Sequence, residues 1–278
     1  MLLVFETRAV STKICAQELT IRLAPVSVQT TINVTVTDDI APNEATVSSA
    51  SISRTIARTV MDAVEDLSPA IFVTRRGVMG YGISTNGTGQ INIRGVGGSP
   101  NTGVLMVVDG RPDFQGEMGH TLPDFYSLSN TGSIRVIEGP ASVLYGSNAM
   151  GGAIEVEPRE PKDGAEFELI SSLGSFMTGQ HRLYAGIRQG PSLYTFSSGI
   201  NHTDGDRAYS AYRSQDGSLG ASRRLSSIWT AKLDGNYGHF YVEDPGEIGT
   251  GTSDQNYASV GRGGFSADLA NTTPALHG

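Results

Sequence analysis

The sequence predicts two unlike parts: a small α+β domain of mixed strands and short helices, then a run of antiparallel β-strands. Three observations predict this. An amphipathic helix and several short apolar strands, separated by glycine-rich turns, fill the first 160 residues. Composition changes at Pro158–Gly164, and beyond it apolar and polar residues alternate with period two in segments of about ten. The longest apolar runs, Met1–Phe5 and Val104–Val108, fall far short of the roughly 18 residues of a membrane helix, a limit that transmembrane strands escape.

Along the chain, residues 19–23 alternate as a strand does, and Ala24-Pro25 end them. Val26–Thr37, rich in Val and Thr, reads either as an edge strand or as an extended peptide for capture by another protein's sheet. Ser53–Leu67 reads as one amphipathic helix. Ile56, Val60, Val64 and Leu67 form its dry face, and Arg54, Arg58, Asp62 and Glu65 its wet one; Ser68-Pro69 stop it. A short strand follows at Ala70–Thr74.

Ten glycines between Gly77 and Gly110 surround two strands, Gln90–Arg94 and Val104–Asp109. The second is apolar on both faces, as a central strand is. None of these glycines sits in a phosphate-binding loop context. Ile134–Ile137 is a strand, Pro140 opens a short helix through Tyr145 that Gly146 closes, and Ala153–Glu157 is another strand.

The alternating segments are Ala165–Leu173, His181–Gln189, Leu193–Thr203 and Ser227–Glu243. Within the last, Asp234-Gly235 reads as a hairpin turn, and Asp204–Arg224 reads as a long polar excursion. Four or five strands of this kind suit a soluble antiparallel sheet, or membrane strands with polar faces inward and apolar faces outward.

Of the 278 residues, 20 are Lys or Arg and 28 are Asp or Glu, a formal charge of −8 with no basic stripe, which argues against nucleic acid as a partner. Cys15 is alone and the five His are scattered, so no metal site or cofactor is expected. The chain has no G-x-S-x-G nucleophile motif and no evident acid pair or His/Asp cluster, so it is not expected to be an enzyme.

Three stretches carry a family resemblance. Ile91-Asn92-Ile93-Arg94-Gly95 is similar to an I-x-I-R-G element, and Val107-Val108-Asp109-Gly110-Arg111-Pro112 to V-x-V-D-G-x-P. The run from Gly139-Pro140-Ala141-Ser142 through Leu144-Tyr145-Gly146 to Gly151-Gly152-Ala153-Ile154 is similar to R-G-P-x-S-x-L-Y-G-x-x-A-x-G-G-x-I. In this order and separation they resemble the plug domain of TonB-dependent outer-membrane receptors, over residues 31–160.

The resemblance implies an α+β plug at 39–160 and, at 161–278, the first antiparallel strands of an incomplete transmembrane β-barrel, whose family form has 22 strands around a plugged lumen. It implies a Ton box and linker at 26–38, in which Ile32, Asn33, Val34, Thr35, Val36 and Thr37 meet TonB by strand addition. Residues 1–25 would then be the tail of a β-sandwich similar to a carboxypeptidase regulatory domain. So few strands cannot close, and the start lacks the features of a secretory signal, so the chain is expected to be a piece of a longer receptor at both ends.

The implied activity is energy-coupled uptake of a scarce small-molecule ligand across the bacterial outer membrane, with TonB and membrane lipid as partners and the plug facing the periplasm within the barrel. A ferric siderophore is the first expectation. Cobalamin, an oligosaccharide, or a non-transporting signalling or adhesion role are the alternatives. By position in outward loops, the ligand contacts would be Arg76, Tyr81, Asn86, Arg111, Asp113, Phe114, Gln115 and His120. Arg76 and Arg111 suit an anionic ligand, and Tyr81 and Phe114 a flat apolar face. Arg94, Arg135 and Glu138 would contact the barrel; the family places Glu ahead of Arg at the latter pair, so the reversed order here would set Glu138 against barrel carboxylates.

Overall fold

The computed structural model describes residues 3–9, 44–52, 54, 57–75, 77–82, 89–98, 101–113, 119–146, 148–246 and 256–271. The stretches 19–25 and Val26–Thr37 lie outside the described residues. In chain order the elements begin with β1 (Leu3–Ala9), β2 (Glu44–Val47), α1 (Ser49–Ile52), α2 (Val60–Leu67) and β3 (Ile71–Val73). Next come β4 (Ile91–Ile93), β5 (Val96–Gly97), β6 (Val104–Val108), β7 (Arg111–Asp113), a 3₁₀ turn at Pro123–Phe125, β8 (Thr131–Glu138), α3 (Ser142–Tyr145) and β9 (Gly152–Pro158). The long strands are β10 (Gly164–Gly174), β11 (Thr178–Gln189), β12 (Ser192–Thr203), β13 (Tyr212–Arg224), β14 (Trp229–Asp244) and β15 (Asn256–Asn271).

The first domain is built on a five-stranded mixed sheet in the order β2-β8-β9-β6-β7, in which only β6 and β9 run parallel. As its pattern predicts, β6 is buried on both faces. Val104 and Met106 join the main core with Val60, Met61, Val64, Ile91, Ile93, Ile134 and Ile154. Leu105 and Val107 pack behind the sheet with Ala141, Ala149 and Ala153. A small sheet, β3-β4-β5, closes the other side of the main core.

Two expectations need correction here. The helix expected over Ser53–Leu67 is described only as α2, because Thr59 caps it. The Thr59 hydroxyl accepts from Asp62 N–H at 3.2 Å, while Val60 N–H is taken by the Tyr126 carbonyl at 2.8 Å. Its expected wet side is only partly wet: Arg54 is exposed, Arg58 and Glu65 are half-buried, and Asp62 is buried. The helix at 140–145 begins at Ser142 with Ala141 as its cap, so Pro140 precedes it rather than opening it. Gly146 does close it, at φ +82°.

The long strands form an antiparallel sheet, β1-β10-β11-β12-β13-β14-β15. Six of them follow the first domain, against the four or five expected. Asp204–Arg224 is not all excursion, since β13 occupies most of it, and Asp234-Gly235 lies in mid-strand, with Gly235 paired to both Leu219 and Phe265. Small and hydroxylated residues hide these strands from an apolar count, and in an interior strand the neighbours' hydrogen bonds override the turn preference of Asp-Gly.

Register sorts the two faces. One cross-sheet row reads Phe167, Ala185, Phe196, Leu219, Gly235, Phe265, and the next Ala165, Ile187, Tyr194, Ala221, Leu233, Ala267. Most large side chains of these rows are exposed on the face away from the first domain. The opposite face offers Glu168, Tyr184, Ser197, Ser218 and Asn236 in one row. No described helix is long and apolar enough to cross a membrane, whereas β10–β15 run 11 to 16 residues, enough for a tilted transmembrane strand.

Candidate functional site at the seam between domain and wall

The first domain docks against the polar face of the wall at three places. At one end, the β6–β7 hairpin turns on Asp109 and Gly110, both at positive φ (51° and 73°), the primed turn that Asp-Gly favours. The turn delivers alternating charges to oppositely charged wall residues. Asp109 pairs with Lys232, Arg111 with Asp268, and Asp113 with Arg262 at 2.8 Å. The Arg262 guanidinium also lies 4.4 Å over the Phe125 ring.

Towards the other end of the wall, Met79 and Leu122 pack with Tyr212, Phe240 and Val242, and Phe125 meets Phe240 edge to face at 5.0 Å. Gly80, at φ +82°, lets the chain pass the wall here: a Cβ would sit 2.5 Å from the Tyr212 ring. Beneath this contact Asp124 is buried, accepting from Tyr81 N–H at 2.9 Å and Gly82 N–H at 2.9 Å, and from the Tyr212 hydroxyl. Burial raises its carboxyl to about 7 in spite of these donors.

The third contact holds the exit from the domain. Arg159 bonds Glu166 and, at 3.0 Å, Glu168, and stacks 4.3 Å over Tyr184, whose hydroxyl returns a bond to the Arg159 carbonyl at 3.1 Å. Arg188 grips the same linker through Glu160 at 2.6 Å and the Pro161 carbonyl at 2.9 Å. Between the contacts a cavity of about 370 Å³ separates domain and wall, lined by Asn130, Asp216, Asp234 and Asn236 among others.

Inside the domain, one carboxylate gathers the loop after β3. Asp62 bonds Arg58 Nε at 2.9 Å, Arg75 at 2.6 Å and the Tyr81 hydroxyl at 2.6 Å. Burial would raise this carboxyl, but Arg58, Tyr81 and Arg75 together hold it at about 2. Asn101 does similar work further on, accepting from Ile91 N–H at 2.8 Å and donating to the carbonyls of Gly89 at 2.7 Å and Thr121 at 3.0 Å.

The sequence-predicted residues are thus dispersed. Tyr81 is a core residue bonded to Asp62, and His120 is buried. Arg111 and Asp113 face charged wall residues rather than an open loop. Arg76, Asn86, Phe114, Gln115 and Ile32–Thr37 lie outside the described residues. Arg94 and Glu138 pair with each other at 2.8 Å, and Glu138 also accepts from Ser68 at 2.7 Å. Arg135 bonds Glu155, its direct cross-strand neighbour, at 2.8 Å. The reversed Arg-then-Glu order therefore finds its countercharges within the domain. Sequence reasoning did not single out Asp62, Asp124, Lys232, Arg262 or Arg159 for these contacts, because single charges in alternating or helical patterns read as solvated.

Residues 37–153 match the family model of the TonB-dependent receptor plug domain. They are a TonB-dependent receptor plug. The plug and the strands after it share the fold of complete receptors. The ferric preacinetobactin receptor BauA of Acinetobacter baumannii aligns at 18% identity and TM-score 0.55, over 72% of this chain and 28% of its own. The ferripyoverdine receptor of the outer membrane of Pseudomonas aeruginosa aligns at 12% and 0.59, over 73% and 26%. The copper transporter OprC aligns at 18% and 0.59, over 73% and 31%. The chain thus spans about a quarter to a third of these receptors, and its long strands correspond to an unclosed part of a barrel.

Proposed function

We propose that this chain is the plug and first wall segment of an outer-membrane receptor that takes up a ferric siderophore with energy delivered through TonB. The observation that carries the reading is the docked plug itself: a mixed-sheet domain held to the polar face of an outwardly apolar strand sheet by complementary charges. Two of the matched structures are receptors for ferric siderophores by their descriptions, which supports that ligand class. Cobalamin, an oligosaccharide and, in view of OprC, copper are the competing ligands. Ligand contacts are proposed at Arg76, Asn86, Phe114 and Gln115, and the TonB contact at Ile32–Thr37, with 26–38 as Ton box and linker. Within the expected 1–25 β-sandwich tail, Leu3–Ala9 instead pairs along β10 at the edge of the wall.

The test is binding of ferric siderophores, cobalamin, glycans and copper to the full-length receptor. Saturable binding of an iron complex is expected, and failure of all of them overturns the siderophore reading. The TonB contact has its own test, because strand addition depends on backbone N–H groups that proline lacks. Val34→Pro is expected to abolish TonB binding and uptake while leaving ligand binding intact; undiminished TonB binding refutes the site.

A further inference from the structure

The outward face of the wall is not uniformly convex. A groove of about 770 Å³ runs across it, floored by Ala185, Ala221 and Gly235 and flanked by Phe196, Leu219 and Phe265. The relief follows from register: Gly235 sits directly opposite both Leu219 and Phe265, so a missing side chain stands between two large exposed ones. Its lining is almost wholly apolar, and it is continuous with the exposed apolar rows described above.

Below the groove lies the end of the wall where the chain enters from the first domain at Gly164, with turns at 190–191 and 225–228. The opposite end has the three-residue turn 175–177 but also the longer connections at 204–211 and 245–255. Short turns mark the periplasmic end of an outer-membrane barrel. On this side Arg223 has the same outward parity as Leu219 and Ala221, two residues beyond Ala221, or roughly 7 Å along the strand. Arg223 and Arg224 are both exposed, and neither side chain has an ion pair among the described residues. The cross-sheet row of Arg223 is Gln189, Ser192, Ala231 and Leu269, which places no carboxylate beside it. Leu225, Ile228 and Trp229 are exposed at the same rim, where indole rings settle at the level of lipid headgroups.

We propose that this groove binds one anionic phospholipid of the periplasmic leaflet, with an acyl chain across Ala185, Ala221 and Gly235 and its phosphate on Arg223. A guanidinium without a counterion among the described residues, one strand-step pair from an apolar groove and next to an interfacial tryptophan, supplies both halves of a phospholipid's chemistry. Zwitterionic lipid would satisfy the groove but add little on the charge. Free phosphate would satisfy the charge and nothing else. The assignment rests on the outer-membrane reading above.

The experiment uses the full-length receptor purified from outer membranes in a mild non-ionic detergent, titrated with phosphatidylglycerol, phosphatidylcholine and glycerol phosphate and read by native mass spectrometry. One phosphatidylglycerol is expected to bind on the order of tenfold more tightly than phosphatidylcholine, and glycerol phosphate should not displace it. Arg223→Gln should remove that preference. Ala221→Phe, which fills the groove and leaves the charges alone, should weaken both lipids. Equal binding of the two lipids, displacement by glycerol phosphate, or unchanged affinity in either variant overturns the site. Fractionation separates this from failure of the membrane reading: a receptor absent from the outer membrane refutes that reading, whereas one present there without the lipid preference refutes only the groove.

Discussion

Replacing Asp62 with Asn is expected to destabilise the plug's 75–82 loop by roughly 3–5 kcal/mol, the usual consequence of removing one partner from a buried ionic cluster. The carboxylate lies between two guanidiniums, Arg58 and Arg75, and also accepts the Tyr81 hydroxyl at 2.6 Å. Asn keeps the shape and one acceptor but leaves two cations without their shared countercharge. Arg75 retains Glu65 at 3.0 Å, which softens the loss on that side, whereas Arg58 keeps only the Val78 carbonyl among its described partners. Hydrogen exchange in the full-length receptor reads the outcome, because local opening free energies appear amide by amide. Protection at Gly77–Gly82 should fall more than a hundredfold, while β10–β15 stay unchanged. A drop of less than tenfold would show that the cluster is not what holds the loop. The sign with pH is fixed by the same geometry. The Asp62 carboxyl is held below its unfolded value, so its contribution is complete above about pH 4 and is lost as pH falls towards 2.

How legible this was in the sequence varies by element, for physical reasons. The strand β6 was plain because a run of five apolar residues buried on both faces has little else to become, and α3 was plain because Gly146 marks its end. Three motifs together identified the plug, since each constrains backbone that must turn or approach closely, as Arg94-Gly95 does at φ 52° and 78°. The strand β13 was hidden. Its sequence of Ser, Gln, Asp, Gly and Ser pairs with β12 and β14 along its whole length, but it carries only Tyr212, Leu219 and Ala221 as apolar signal. The seam was hidden more deeply still. Asp109 and Lys232 are 123 residues apart, and nothing local distinguishes a charge that will meet its partner across a cavity from one that will meet water. At Arg111 and Asp113 loop position alone predicts exposure, and Arg111 is exposed, whereas the wall of opposite charge that the fold brings to both is not visible locally.

The second large effect is expected from pH acting on Asp124. Its carboxyl has a folded-state value of about 7 against 3.8 for an ordinary aspartate, chiefly because it is buried, with the nearby Asp62 charge adding to the rise. A raised carboxyl value means that the folded state holds a proton that the unfolded chain has already released. Stability from this site is therefore greatest below about pH 4, declines as pH rises from 4 to 7, and is level above that, a total change of roughly 4 kcal/mol. Asp124 joins the Tyr81–Gly82 backbone of the plug to Tyr212 of the wall, so the contact that loosens is a seam contact rather than the plug core. Exchange at Tyr81 and Gly82, corrected for the intrinsic pH dependence, should quicken between pH 5 and 7.5 by up to roughly seventyfold, while exchange in β6 and β9 does not. Asp124→Asn supplies the decisive comparison. The amide stays neutral, its oxygen can still accept from Tyr81 and Gly82, and its NH₂ can donate to the Tyr212 oxygen. The variant should match the wild type near pH 5 and exceed it near pH 8, with the slope between them gone. If wild type and variant show the same slope, the proton is held elsewhere on the seam; if the variant is weaker at every pH, Asp124 serves there as an anion. Near neutrality the prediction has a structural consequence: an ionised Asp124 beneath Gly80 removes a latch at the end of the wall bearing the longer connections at 204–211 and 245–255, while the ion pairs of Asp109, Arg111 and Asp113 hold nearer the opposite end. The plug should therefore loosen from one end, not uniformly.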